Sequence, residues 1–266
     1  MKNFSVLCFA FLLIIACSKD SNDEDPIKIN TAANLKASGD SANDILSNAN
    51  YDAMIFEIAY VKNYKPNTES IANFIRFIKS TTFKDDISVV YKELSSPNET
   101  SLSLKKIASL ETENRTIYTQ GKTLSIYIYF ADAPSENDEE DSNAVTLGAV
   151  YRNTSMIIYE ATIKKLTAKS FLITDATVEE ATLNHEMSHL MGLVNLGSEM
   201  VNNHEGLTTD DDENEVGNSH CTTENCLMST ELEFGGGMKK MLIASKNSVP
   251  TLDTECLADL KANGGR

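Results

Sequence analysis

Apolar positions along the chain fall into two alternating regimes. The run Tyr51 to Val61 is rich in β-formers and partly alternates, which predicts a strand. From Asn67 the period lengthens. Ile71, Phe74, Ile75 and Ile78 recur at helical spacing within residues 70–79, which predicts an amphipathic helix. The strand period returns over residues 86–94 and again, strictly, over residues 123–130, where Leu124, Ile126, Ile128 and Phe130 alternate. Residues 101–114 read as a helix between these strands. Residues 131–142 are acidic and contain Pro134, so they read as a loop, and residues 146–159 read as a strand or hairpin. Residues 175–194 carry the most helix signals: Asp175 or Thr177 to cap, Glu179 and Glu180 in the first turns, and Leu183, Leu190 and Leu193 along it. A polar stretch, a Cys-bearing turn and a last helix over residues 252–261 complete the chain, which shows no internal repeat. Strand, helix, strand, helix, strands, helix predicts an α/β or α+β fold.

The first residues fit none of this. After Met1 and Lys2, an apolar run from Phe4 to Ala16 is too short to span a membrane comfortably and ends at Cys17. The ending Ile14-Ile15-Ala16-Cys17 resembles a bacterial lipoprotein signal, which implies cleavage before Cys17 and acylation of its thiol. Residues 18–26 are acidic, lack any large apolar side chain and read as a solvated tether. Such a run also resembles the surface-export signal of Bacteroidota lipoproteins. The expected organisation is a signal at residues 1–16, an acylated tether at 17–35 and one folded domain at 36–266. The expected location is the outer membrane or cell surface of a Gram-negative bacterium, with the membrane touched only through the lipid on Cys17.

Composition narrows the partners. The 266 residues are 41% hydrophobic, enough for one sizeable core, and carry a net charge of -16. That charge speaks against nucleic acid, whose phosphates need a basic face.

The chemistry concentrates at Asn184-His185-Glu186-Met187-Ser188-His189-Leu190-Met191-Gly192. Residues i and i+4 of a helix share a face, so His185 and His189 can place two imidazoles on one cation. Glu186 stands beside the first ligand, within reach of a water on that cation but not itself bound to it. Zinc acidifies such a water and polarises a carbonyl, and Glu186 as general base can move the proton to a leaving amine. All four histidines, His185, His189, His204 and His220, lie in one short region. A catalytic zinc needs a third protein ligand. His204 and His220 are candidates, and Asn195 is a weaker one because its amide oxygen is hard and neutral.

These residues resemble the metzincin zinc peptidases, in which the helix motif runs on past a glycine to a third histidine. Here Asn195 holds that position. His220-Cys221-Thr222-Thr223-Glu224-Asn225-Cys226-Leu227-Met228 resembles the archaemetzincin run of histidine, cysteine, four residues, cysteine, one residue, methionine. The resemblance implies His220 as third ligand and Met228 as the turn beneath the metal, with residues 195–219 as an insertion. It also implies that residues 147–151 form the edge strand that pairs with an extended substrate. Archaemetzincins hold a second zinc with four cysteines, including a late Cys-x-x-Cys pair. This chain has only Cys256 after Met228, so a Cys221–Cys226 disulfide is expected instead, in keeping with export. The whole chain is similar to predicted zinc-dependent lipoprotein peptidases of Bacteroidota, through residues 151–155 and 256–260.

The resulting expectation is a metzincin-like α/β zinc domain with a twisted mixed sheet, an active-site helix and a small irregular C-terminal part. It would be a monomer that hydrolyses peptide bonds in a peptide or protein substrate. The alternative is a surface-anchored binding lipoprotein with a zinc site and no catalysis. The acidic residues 210–215 are a weaker candidate for Ca2+.

Overall fold

The computed structural model describes residues 30–139 and 144–266. The expected signal and Cys17 lie outside the described residues. The packed region begins earlier than residue 36. Asn34 is fully buried, its amide donating to Thr119 Oγ1, Ser125 O and Thr154 Oγ1.

The elements run α1 (Ala42–Leu46), β1 (Ala53–Val61), α2 (Thr68–Thr81), β2 (Asp86–Leu94), α3 (Leu104–Asn114), β3 (Thr123–Phe130), β4 (Gly148–Arg152), β5 (Ser155–Ile158), α4 (Glu160–Thr167), α5 (Asp175–Leu190), β6 (Glu205–Thr209), β7 (Glu215–Cys221), α6 (Gly235–Ala244) and α7 (Thr254–Ala262). Strands β1 to β5 form one mixed sheet in the order β2-β1-β3-β5-β4. Every pairing is parallel except β4 with β5, so the sheet ends in an antiparallel edge strand, β4. Strands β6 and β7 make a separate hairpin.

The two periods explain the layers. Met54, Phe56 and Ile58 of β1, with Leu124, Ile126, Ile128 and Phe130 of β3, project to one face and pack with Phe74 and Ile78 of α2 and Leu183 and Met187 of α5. The alternate residues, Ala59, Val61, Tyr127 and Tyr129, project to the other face and meet Ile107 of α3. Strand β3 is buried on both faces, as a central parallel strand must be. Helix α5 is buried along almost its whole length, so it is the inner helix of its layer.

Caps set the helix starts. Asn67 accepts from Glu69 N on α2, and Ser103 accepts from Lys106 N on α3. On α5 the cap is Thr174, which accepts from Thr177 N, in place of either expected residue, Asp175 or Thr177. Glu179 ties α5 to the start of α2, its Oε2 accepting from Asn67 N at 2.7 Å and Ser70 Oγ at 2.6 Å.

Residues 151–155 run from the end of β4 through the turn into β5, and Arg152 and Ser155 among them belong to a buried ion network. Glu111 takes Arg115 at 2.7 Å, Arg152 at 2.9 Å and the Ser155 hydroxyl at 2.8 Å, and Arg115 also donates to Ser125 O. This network fastens α3 to β3 and to the β4–β5 turn. Replacing Arg115 by Ala leaves a buried carboxylate half paired, with an expected cost of about 3 kcal/mol in chemical denaturation. A loss well under 1 kcal/mol would contradict that role.

Candidate metal centre

Helix α5 presents His185, Glu186 and His189, all at least nine-tenths buried, toward the turn that holds Leu227 and Met228. The helix stops where a stop is needed. Gly192 takes φ +74, its N–H donates to His189 O, and Leu193 N donates to Ser188 O, a Schellman arrangement that reverses the chain. Val194 and Asn195 follow at φ 54 and 61, in the left-handed region. This carries Asn195 away from α5, where its amide donates to Glu205 Oε2 at 3.0 Å.

The insertion is the β6–β7 hairpin, and its return strand delivers His220. A bulge lies between Glu205 and Leu207, and Ser219 has φ 58. Glu205 holds this corner by accepting from Ser219 N at 2.8 Å.

Three imidazoles converge as a result. The ring centroids of His185, His189 and His220 lie 4.8, 4.9 and 5.2 Å apart, and one nitrogen of each lies within 4.8 Å of the other two. Their tautomers follow from their partners. His185 Nδ1 faces Leu227 O at 2.7 Å, and His220 Nδ1 faces Asn218 O at 2.6 Å. A carbonyl only accepts, so both Nδ1 atoms carry the proton and both Nε2 lone pairs are free. Those Nε2 atoms are 3.3 Å apart. Two ligands on a tetrahedral zinc with bonds of about 2.0–2.1 Å would stand about 3.3 Å apart. His189 Nδ1 is buried without a hydrogen-bond partner among the described residues. Burial and the neighbouring imidazoles push His185 down to about 3 and His189 well below its usual value, so both rings are neutral and able to bind a cation. Neutral convergent imidazoles with an oriented outer shell are a donor set that fits zinc.

Glu186 lies beside this cluster. Burial, and then the charge of Glu233, push its carboxyl well above the usual range. A dication held by the imidazoles would offset that push. Edge strand β4 crosses directly over it. A Cβ added at Gly148 would sit 2.7 Å from Glu186 Cγ and 2.8 Å from its Oε1. Gly148→Ala is therefore expected to displace Glu186 and to cost about 1–3 kcal/mol in chemical denaturation, as overpacking does. A loss well under about 0.5 kcal/mol would contradict that packing. Met228 is fully buried, and its carbonyl accepts from Cys221 N at 2.7 Å.

His204, an alternative third ligand in the sequence, belongs to a different cluster with Cys221, Asp253 and Cys256, whose donor atoms lie within 4.8 Å of one another. His204 Nε2 contacts Asp259 Oδ2 at 2.9 Å, and its Nδ1 lies 3.3 Å from Cys221 Sγ and 3.9 Å from Cys256 Sγ. A carboxylate holding one ring nitrogen while the other faces thiols is the outer-shell pattern of a metal-binding histidine. Asp253 Oδ2 meets Cys221 Sγ at 3.3 Å, and Cys226 Sγ lies 3.5 Å from Cys256 Sγ. The Cys256 hydrogen bond draws the Cys226 thiol down to about 7.

The expected Cys221–Cys226 disulfide is not formed. All three cysteines of the described residues are thiols, because Cys221 turns to His204 and Asp253 while Cys226 turns to Cys256 on α7. Counting cysteines alone missed this mixed donor set. The readable signal was Asp253, three residues before Cys256, the spacing of the late cysteine pair. Of the acidic residues 210–215, the first five form the β6–β7 turn and Glu215 opens β7; Asp210 Oδ1 accepts from Asp212 N and Asn214 N.

No family model matches the sequence, and no curated protein matches it. Among solved structures the chain is similar to the crystal structure of archaemetzincin from Methanopyrus kandleri. The likeness covers 80% of this chain and 96% of that one, at 13% identity and a TM-score of 0.50. At that identity it shows the fold: a mixed α/β arrangement like that of archaemetzincin, with the five-stranded sheet described above.

Proposed function

We propose that the chain is a zinc peptidase. The observation that carries this reading is the convergence of His185, His189 and His220, with free Nε2 atoms on His185 and His220, beside the Glu186 carboxyl. The likeness in fold to archaemetzincin is in keeping with it. His185, His189 and His220 would hold the ion. When bound, zinc supplies an acidified water and polarises the scissile carbonyl.

The chain's own residues do the rest. Glu186 accepts the proton of the attacking water on its carboxylate and gives it to the leaving amine. Strand β4 offers backbone groups along the sheet edge to an extended peptide. Gly148, with no side chain, lets that peptide and Glu186 approach each other. Leu227 O and Asn218 O fix two rings in the ligand tautomer. The His204, Cys221, Asp253, Cys256 cluster holds a second, structural zinc in the same reading, pinning α7 and the end of β7.

The test is direct. The purified, zinc-loaded protein is incubated with a broad peptide library and new termini are read by mass spectrometry. Cleavage that depends on zinc and on Glu186 is expected. Bound zinc with no cleavage across the library would overturn the reading in favour of a metal-holding binding protein.

A further inference from the structure

The end of β7 is an arch. Between the pairs Leu207–Gly217 and Glu205–Cys221, one residue of β6, Gly206, stands opposite three of β7, Asn218, Ser219 and His220. An excess of this kind lifts the longer strand off its partner and re-aims its side chains. Here it aims His220 at His185 on α5. Ser219, in the middle of the arch, takes φ 58, a conformation that a serine keeps only where its surroundings enforce it.

The half-buried side chain of Glu205 supports the arch from the β6 side. Its Oε1 accepts from Ser219 N at 2.8 Å, and its Oε2 accepts from Asn195 Nδ2 at 3.0 Å. Asn195 is itself left-handed at φ 61 and follows the buried Val194, at φ 54. One side chain therefore ties two strained corners, the reversal that leaves α5 and the arch that carries His220. A Cβ added at Gly217 would collide with the carboxylate carbon and both oxygens of Glu205, so this glycine is the seat of that side chain. Asn218 secures the other side of the arch. Its Oδ1 accepts from His220 N at 3.0 Å, and its Nδ2 donates to Thr230 Oγ1 at 3.3 Å. The chain of bonds from Asn195 through Glu205 to Ser219 thus joins the end of the helix that holds His185 and His189 to the strand that holds His220.

We propose that Glu205 is a positioning residue of the three-histidine centre: clamped between Asn195 and Ser219, it fixes the arch that delivers His220 and so sets how tightly the site holds its metal. The inference rests on the zinc reading above and names what regulates the third ligand. Glu205 does this as a hydrogen-bond acceptor on two backbone corners and touches neither the metal ligands' rings nor a substrate.

The experiment reads metal affinity apart from turnover. Zinc-loaded protein is equilibrated against graded chelator, and zinc per chain is measured together with the reactivity of Cys221, Cys226 and Cys256. The thiols report on the second cluster, and His220→Ala marks the zinc that belongs to the three histidines. Glu205→Ala is expected to weaken that zinc about 10- to 100-fold, with thiol reactivity as in the parent. Glu205→Gln is expected to stay within about threefold of the parent, because its carbonyl accepts from Ser219 N and its amide donates to the Asn195 carbonyl once that side chain turns over. Asn195→Gly keeps the left-handed backbone and removes only the amide, so it is expected to weaken the zinc about 3- to 10-fold, the weight of one hydrogen bond. Parent-like affinity in Glu205→Ala, an equal loss in Glu205→Gln, or thiols that react in Glu205→Ala but not in the parent would overturn the proposal. Unchanged affinity in Asn195→Gly would do so too, whether or not Glu205→Ala folds. The expected losses in a protein whose parent cleaves no peptide would leave the clamp standing and sink the peptidase reading alone. Parent zinc that is indifferent to His220→Ala would remove the metal centre and the proposal with it.

Discussion

Replacing Glu186 with Gln is expected to lower peptide hydrolysis by about 10²- to 10⁴-fold while zinc stays bound. Gln keeps the size and position of the side chain at the start of the last turns of α5. It cannot take a proton from water or return one to the leaving amine. The ligands are separate residues, and their tautomers are set by Leu227 O and Asn218 O, neither of which Glu186 touches. The variant therefore separates proton transfer from metal binding. Turnover within tenfold of the parent, at equal zinc content, would remove Glu186 as the base and leave the raised carboxyl of Glu186 without a catalytic role.

Replacing Cys256 with Ser is expected to release one zinc per chain and to loosen the C-terminal part. Cys256 is fully buried at the start of α7, within reach of Cys226 and His204. A metal that binds the folded chain at about 1,000 times its Kd contributes about 4 kcal/mol, which for a domain of this size is roughly 8–16 °C in melting temperature. Calorimetry, metal analysis and thiol titration read the outcome together. Before chelation the thiols should resist modification, and after chelation all three of Cys221, Cys226 and Cys256 should react. Unchanged zinc with a shift under 2 °C would contradict a metal at this cluster.

The sheet was legible because its strands are regular. Residues 86–94 and 123–130 coincide with β2 and β3, and α2 spans the predicted residues 70–79 with a turn to spare. Strand β3 alternates so plainly because both its faces are covered by different layers, yet each face has its own residue types, aliphatic against α2 and α5, tyrosine against α3. Helix α4 was missed: it is short, and Glu160 and Lys164 leave little apolar face to read. The β6–β7 hairpin was also hidden, because its strands are polar and largely exposed and carry no alternating apolar signal.

The metal centre divides in the same way. His185 and His189 share one helix, so spacing alone places them on one face. His220 comes from another element, and only the return of β7 brings it to α5. The second cluster draws on four separate places in the chain, an insertion histidine, a strand end, a helix cap and the helix it caps. Its assembly depends on how α7 packs, which no local pattern specifies.

Metal content is the measurement closest to the central claim. The account predicts two zinc ions per chain in the parent protein and one in His220→Ala, with the remaining zinc held by the His204, Cys221, Asp253, Cys256 cluster. A His220→Ala protein that keeps as much zinc as the parent, or a parent that binds none when zinc is supplied, would contradict it.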